Sequence, residues 1–245
     1  MNEVIQLLQQ HRSIRKFTGQ AVDQALVNAC VEAGQAAATS SFIQACTVIQ
    51  VSPGETRDNL AEWAGHQKYV SEAPVFLVFC ADMHRHELAC EMHDAEMKDG
   101  FAEQFLTASI DCALFAQNTC VAAESAGLGI CYIGGLRNQP DKVADALNLP
   151  HRVYPVFGLC LGYPAQDPET KPRLPLSVVL KQDRYTDSDD KRHIADYDMA
   201  VKHYYATRTG GTKSMTWSEQ ISGMLQREAR PHMLPFLQSR GFLKR

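Results

Sequence analysis

His11-Arg12-Ser13-Ile14-Arg15-Lys16 sets three cations, a hydroxyl and an imidazole within one short stretch, directly after an amphipathic segment. Such a set can hold a phosphate through bidentate and charge-assisted hydrogen bonds. Helix C-termini attract cations anyway, so the stretch also reads as a plain helix end. Lys171-Pro172-Arg173 offers two more charges on a proline-restricted backbone, in the loop after an apolar run. Between the two lies Tyr132-Ile133-Gly134-Gly135-Leu136-Arg137-Asn138. Main-chain N–H groups can approach a flat ligand at a Gly-Gly pair because no Cβ intervenes, although a simple turn needs the same pair. Taken together, the three pieces fit an aromatic cofactor with a phosphate tail.

Other chemical motifs fail on context. Gly127-Leu128-Gly129 lacks the third glycine of a dinucleotide fingerprint and precedes a strand instead of following one. No phosphate-binding P-loop is present. Gly158-Leu159-Cys160-Leu161-Gly162 copies the spacing of a nucleophile elbow, yet Tyr163-Pro164 follow where a helix is required, so Cys160 reads as a strand cysteine and a cysteine hydrolase as a minor alternative. His84, His86, Cys90 and His93 have no zinc-finger or H-E-x-x-H spacing and are interleaved with Glu87, Glu91, Asp94, Glu96 and Lys98. That pattern is a solvated face, and no metal is expected.

The elements that must position these residues follow from apolar periodicity. Val4, Ile5, Leu7 and Leu8 start a short helix, and Asp23 caps a second that carries Leu26, Ala29, Cys30 and Ala33. Strands are expected at Thr47–Val51, Val75–Cys80, Ile130–Ile133 and Val153–Leu161. Phe101–Ala126 is apolar on every side, which predicts a buried helix about 39 Å long at ~1.5 Å per residue, running through the core and into a subunit interface. Four prolines between Pro164 and Pro175 predict an extended, ordered loop. Beyond it, Asp190–Tyr205, a Gly210-Gly211 break, Trp217–Glu228 and a last helix opened by Pro231 form a polar tail without a core of its own, suited to wrap over a partner.

Composition narrows the classes. The chain has 245 residues, 24 Lys+Arg against 28 Asp+Glu and a formal net charge of -4, which gives no long-range attraction to nucleic acid or an anionic membrane. The longest uncharged apolar stretch, Cys112–Ala123, is too short to span a bilayer. Neither a signal peptide nor a transit peptide is read at the N-terminus, so the cytoplasm is expected. The 8 cysteines include no C-x-x-C pair and are read as buried free thiols.

Many ordered segments together carry a resemblance. His11-Arg12-Ser13-Ile14-Arg15, Gly65-His66-Gln67-Lys68, Phe79-Cys80-Ala81-Asp82, Ala116-Gln117-Asn118, Tyr132 to Asn138, Phe157 to Gly162, Lys171 to Pro175, Tyr204-Tyr205 to Arg208, Thr216-Trp217-Ser218 and Arg230-Pro231 resemble the FMN-dependent nitroreductase superfamily. Within it, the likeness is to the oxygen-insensitive NADPH nitroreductase and NADPH:FMN oxidoreductase group, over essentially the whole length.

The resemblance implies an α+β fold, a mixed, mainly antiparallel sheet around a long central helix, in an intertwined homodimer with two FMN sites at the interface. Residues 1–245 would form one FMN-binding domain, with 176–245 a helical extension over the partner subunit. His11, Arg12, Ser13, Lys171 and Arg173 would hold the phosphate, and Arg15 would face the pyrimidine edge of the flavin. Gln67, Tyr132, Ile133, Gly134 and Gly135 would line the ring, with a glycine N–H directed at N5. Thr39, Ser40 and Ser41 stand where the family often has a run of serines, and are taken as flavin contacts. NADPH is the implied donor, its 2′-phosphate met by Arg208 and Lys213, with Arg137 and Arg230 as further contributors. The implied chemistry is two-electron ping-pong hydride transfer to nitroaromatics, quinones or flavins, with no acid–base residue. The alternatives are an NADPH:FMN oxidoreductase that supplies reduced free flavin, and a non-catalytic flavin- or metal-binding protein. Cys90–Gly100 is longer than is usual in the group.

Overall fold

A run of apolar residues with no polar alternation has to be covered on both faces. Val75–Asp82, the strand β2 of the computed structural model, meets that demand, since all of its residues are buried. Val75, Leu77 and Phe79 enter one core, and Phe76, Val78 and Cys80 enter the other. The antiparallel strands β1 (Cys46–Gln50) and β4 (Val153–Gly162) flank β2, and β3 (Gly129–Ile133) lies beyond β4, in the order β1-β2-β4-β3. Each expected strand is found to within two residues. All four strands pair antiparallel, and the one parallel contact described is the isolated bridge of Ser13 to Ile130.

The structure describes residues 2–208 and 214–245, which fall into two compact units. The first runs to Asp167 and takes up Arg230–Arg245 again; the second is Pro168–Ala229.

In the first unit, α1 (Glu3–Gln9) is capped by Asn2, whose side chain accepts from the Ile5 amide at 3.0 Å. Asp23 caps α2 (Gln24–Gln35) as expected, accepting from Ala25 N at 3.0 Å. α3 (Glu55–Trp63) and α4 (Lys68–Glu72) form a corner closed by Arg57, a buried cation that donates to the carbonyls of Val70 and Ala73. α5 (His84–Glu91) follows β2, and α7 (Pro140–Ala146) precedes β4.

The apolar segment expected at Phe101–Ala126 forms α6 (Ala102–Ser125). Its inward stripe is small: Ala108, Cys112, Ala116, Cys120 and Ala123. Small side chains let α2 pack close, and Gly34 of α2 has no room for a Cβ beside Thr119 and Phe115. Within one chain the helix is not covered all round, because Leu106, Ile110 and Leu114 are 49%, 55% and 46% exposed. An apolar face with nothing in its own chain to pack against has the same sequence signature as a core face.

The second unit holds α8 (Leu176–Val179), α9 (Asp190–Thr207) and α10 (Trp217–Leu225). Tyr197, Val201 and Tyr205, one helical turn apart on α9, gather Leu174, Tyr204 and Trp217 into a small core. The reading of a tail without a core is therefore corrected for this unit. α11 (Met233–Ser239) belongs to the first unit, where Arg240 donates to the Val153 carbonyl at 3.1 Å. Among the described residues no helix is long and apolar enough to cross a membrane.

Candidate functional site

The segment after α1 runs along the edge of the sheet. Ile14 N donates to Ile130 O and Thr18 N to Tyr163 O, both at 2.8 Å, while Lys16 O accepts from Ala165 N at 2.9 Å. Gly129 permits this approach, since a Cβ there would meet the Ile14 side chain at 2.6 Å. Beside the segment lies a groove of about 680 Å³ lined by Arg12, Ile14, Glu124, Gly129, Ala165 and Asp167, among others.

The expected phosphate-binding residues here already have partners. His11 Nδ1 lies 2.7 Å from Glu124 Oε1 at the end of α6, and Arg12 Nη2 lies 3.0 Å from Asp167 Oδ1. Ser13 bridges to β3 through its backbone. Arg15 is exposed, and it stands beside the Tyr69 phenol. Burial pushes that phenol up, the neighbouring Cys131 thiol adds to the rise, and Arg15 pulls it back down.

Tyr69 was not among the residues singled out from sequence, yet it joins the set. Its hydroxyl donates to Gln67 Oε1 at 2.6 Å, and Gln67 Nε2 donates to Ala64 O at 2.8 Å. Gly135 completes the cluster: a Cβ there would collide with the Ala64 carbonyl and stand 3.0 Å from Gln67 Nε2. Residues from the α1–α2 connection, the α3–α4 corner and the turn after β3 thus converge in one place. A tyrosine two residues after Gln67 is the only trace of Tyr69's part in the sequence.

Three details add to the sequence reading. The Tyr132 side chain turns toward α6, packing edge-on against Phe157 with ring centroids 5.0 Å apart, and burial pushes its phenol up next to Cys120. Only its backbone is available to a ligand on the Cys131 face; the buried Ile133 likewise offers its main chain. Gly135 is required by the approach of Ala64, whereas a Cβ at Gly134 would meet only the Arg137 guanidinium, at 3.2 Å. Arg137 itself donates to the Val156 carbonyl, and Arg230 Nε donates to Asn138 Oδ1 at 2.9 Å, so both expected NADPH contacts are engaged within the fold.

Thr39, Ser40 and Ser41 lie in the turn after α2, which is held against another part of α6. Buried Asp111 accepts from Ser40 N at 3.1 Å through one oxygen and from Ala45 N at 3.3 Å through the other. Asp111 and Glu124 lie 13 residues apart on α6. At ~1.5 Å per residue, the two flavin-contact segments expected from sequence are anchored about 20 Å apart along the helix axis.

In the second unit Lys171 and Arg208 share an aromatic platform. Lys171 Nζ donates to Tyr205 OH at 2.8 Å and lies 5.2 Å from that ring's centroid, with Arg208 Cζ 5.5 Å from the same centroid. The sequence reading gave these two cations to different phosphates, and their common ring shows that they form one basic patch. Arg173 is exposed on the same loop. Lys213 and the Gly210-Gly211 break lie outside the described residues.

The histidines of the charge-rich helix are spoken for: His84 Nδ1 is 3.1 Å from Glu87 Oε2, and His86 Nε2 is 2.6 Å from Ile43 O. Among the described residues no group of three His, Cys, Asp or Glu could hold a metal. Cys160 is fully buried in β4 with its thiol pushed up by burial, the reverse of an activated nucleophile.

Residues 8–163 match the nitroreductase family, and residues 171–245 match the nitroreductase family's C-terminal domain. The chain is 43% identical over 247 residues to the NADPH-flavin oxidoreductase of Vibrio harveyi, covering 100% of both. It is 42% identical over 245 residues to the oxygen-insensitive NADPH nitroreductase of Salmonella typhimurium, again covering 100% of both. The crystal structure of nitroreductase A from Vibrio parahaemolyticus superposes with a TM-score of 0.93 at 42% identity, over 100% of each chain. The chain belongs to the nitroreductase family, and its fold is the nitroreductase fold.

Proposed function

We propose that the protein is an FMN-dependent NADPH oxidoreductase that reduces nitroaromatics, quinones and related small acceptors by two-electron, ping-pong transfer. The observation that carries this reading is the convergence of Arg15, Gln67, Tyr69 and Gly135 in a chain with full-length likeness to NADPH-flavin oxidoreductase and NADPH nitroreductase. The donor set fits FMN: an exposed guanidinium suits the pyrimidine edge of a flavin, and the groove beside Arg12 has room for a phosphate tail. When bound, FMN supplies the two-electron carrier between NADPH and the acceptor.

The chain's own residues bind and orient. Arg15 places a fixed positive charge where negative charge grows on reduction. Gln67, held by Tyr69 and the Ala64 carbonyl, presents a preset amide, and the turn at Gly134-Gly135 offers main-chain N–H groups. His11, Arg12 and Ser13 anchor the phosphate from the first unit. The patch of Lys171 and Arg208 on Tyr205 supplies positive charge for the NADPH 2′-phosphate, together with Lys213.

The working unit in this reading is a homodimer. Leu106, Ile110 and Leu114 form an apolar stripe that a second copy would cover, at ~1.5–3 kcal/mol for each large aliphatic side chain fully buried. The 20 Å offset along α6 favours a flavin that receives His11–Ser13 from one copy and Thr39–Ser41 from the other. The helices of the second unit serve as a helical extension onto the partner subunit, led by exposed Leu176, Val179 and Leu180, while residues 230–245 of the expected extension pack into the first unit of their own chain. A cytoplasmic setting suits the free thiols.

The test is spectroscopic. The purified chain is expected to be yellow, to elute as a dimer, and to bleach on anaerobic addition of NADPH. A colourless chain that refuses added FMN overturns the reading. Comparing kcat/KM for free FMN with that for a nitroarene or quinone separates the proposed activity from the alternative of supplying reduced flavin.

A further inference from the structure

Three non-glycine residues of four, Ser41, Phe42 and Gln44, adopt left-handed backbone conformations, with φ of 49°, 58° and 55°. Such residues are uncommon and persist only where the surroundings over-determine them. The surroundings here are side chains from two helices. Asp111 of α6, 1% exposed, accepts the Ser40 and Ala45 amides. Arg85 of α5 donates to the carbonyls of Gln44 at 3.0 Å and Cys46 at 3.1 Å, and His86 Nε2 meets the Ile43 carbonyl at 2.6 Å. An anion grips the N–H groups of the turn while a cation and an imidazole grip its carbonyls.

We propose that Asp111 is a positioning residue for the active site: its two backbone hydrogen bonds hold the strained turn so that Thr39, Ser40 and Ser41 are presented to the flavin of a second copy. Arg85 and His86 act with it, which gives the charge-rich helix a role that metal binding does not. This inference rests on the reading given under Proposed function. The physical reason for a carboxylate is its acceptor-only chemistry, since both oxygens face backbone donors. An amide at this position keeps one acceptor and turns an NH₂ group toward a second N–H. A buried carboxylate is costly unless fully bonded, so its place on an otherwise small apolar face calls for a purpose beyond packing.

The experiment compares Asp111→Asn with wild-type dimer and with Val27→Ala, a core truncation in α2 that also lowers stability. FMN affinity is measured by flavin fluorescence well below the melting temperature, and the turn is probed by chymotrypsin, for which exposed Phe42 is the reporter. Asp111→Asn is expected to weaken FMN about tenfold, about 1.4 kcal/mol, and to speed cleavage after Phe42, while Val27→Ala changes neither. Unchanged FMN affinity in Asp111→Asn, or an equal loss in Val27→Ala, overturns the proposal. Should Asp111→Asn fail to fold, His86→Gln is measured in the same two ways, with the same outcomes deciding. A wild-type chain that binds no FMN sinks the functional reading instead, and the proposal with it.

Discussion

Arg12 donates its Nη2 to Asp167 across 3.0 Å, in a groove where a phosphate would compete for the same guanidinium. The carboxylate is 83% exposed, so the pair is worth ~0–1 kcal/mol. Asp167→Asn removes the internal competitor and is expected to tighten FMN binding by up to about fivefold. Equilibrium titration of the apoprotein with FMN measures this, and weaker binding in the variant would show that Asp167 orients Arg12 instead of competing for it.

Gly135→Ala is expected to be among the most damaging single-methyl additions. The new Cβ would strike the Ala64 carbonyl, which is backbone and cannot swing aside. Overpacking of this kind costs about 1–3 kcal/mol. Urea unfolding should show the loss, accompanied by reduced flavin content because Gln67 leans on the same carbonyl.

The basic patch in the second unit predicts donor selectivity. Arg208→Ala should raise KM for NADPH far more than KM for NADH, since only NADPH carries the extra phosphate. Equal effects on the two donors would remove Arg208 from the 2′-phosphate site.

Acid sensitivity is expected where α5 meets the start of β4. The hydrogen bond from Arg152 holds the Glu87 carboxyl below its ordinary range. A carboxyl depressed in the folded state contributes stability that is present above its unfolded pKa and lost as pH falls through the folded one. His151 next door is pushed down by burial and by Arg152, so the unfolded chain takes up its proton first as pH drops below the usual imidazole value. Melting temperature should therefore fall from the imidazole range downward and again from the ordinary carboxylate range downward. Glu87→Gln should flatten the second step and leave the first.

Thiol reactivity should separate one cysteine from seven. Cys90 is half-buried and the other seven are buried, with Cys120 pushed up to about 12 by burial. Ellman's reagent is expected to label one thiol per chain rapidly in the native protein and all of them in denaturant.

Much of this architecture is legible in the sequence because it depends on short-range rules. Asp23 before an apolar period announces α2, and the unbroken apolar run at Val75 announces a strand covered on both faces. His11–Arg15, Gln67 and Gly134-Gly135 are recognisable as site pieces by type and order. What could not be read depends on contacts between distant segments. The strand alternation that carries Tyr132 to the α6 side takes effect only once Cys131 is known to face Arg15. The exposed stripe of Leu106, Ile110 and Leu114 is indistinguishable from core by composition. Asp111 looks like a stray charge in an apolar helix until the turn it holds is seen.

The stretch of α6 between Asp111 and Glu124 works as a gauge block. One inserted residue there would shift the far anchor by ~1.5 Å and swing it by about 100° around the axis. A change of length there would be ruinous, because spacing and phase are both fixed from each end.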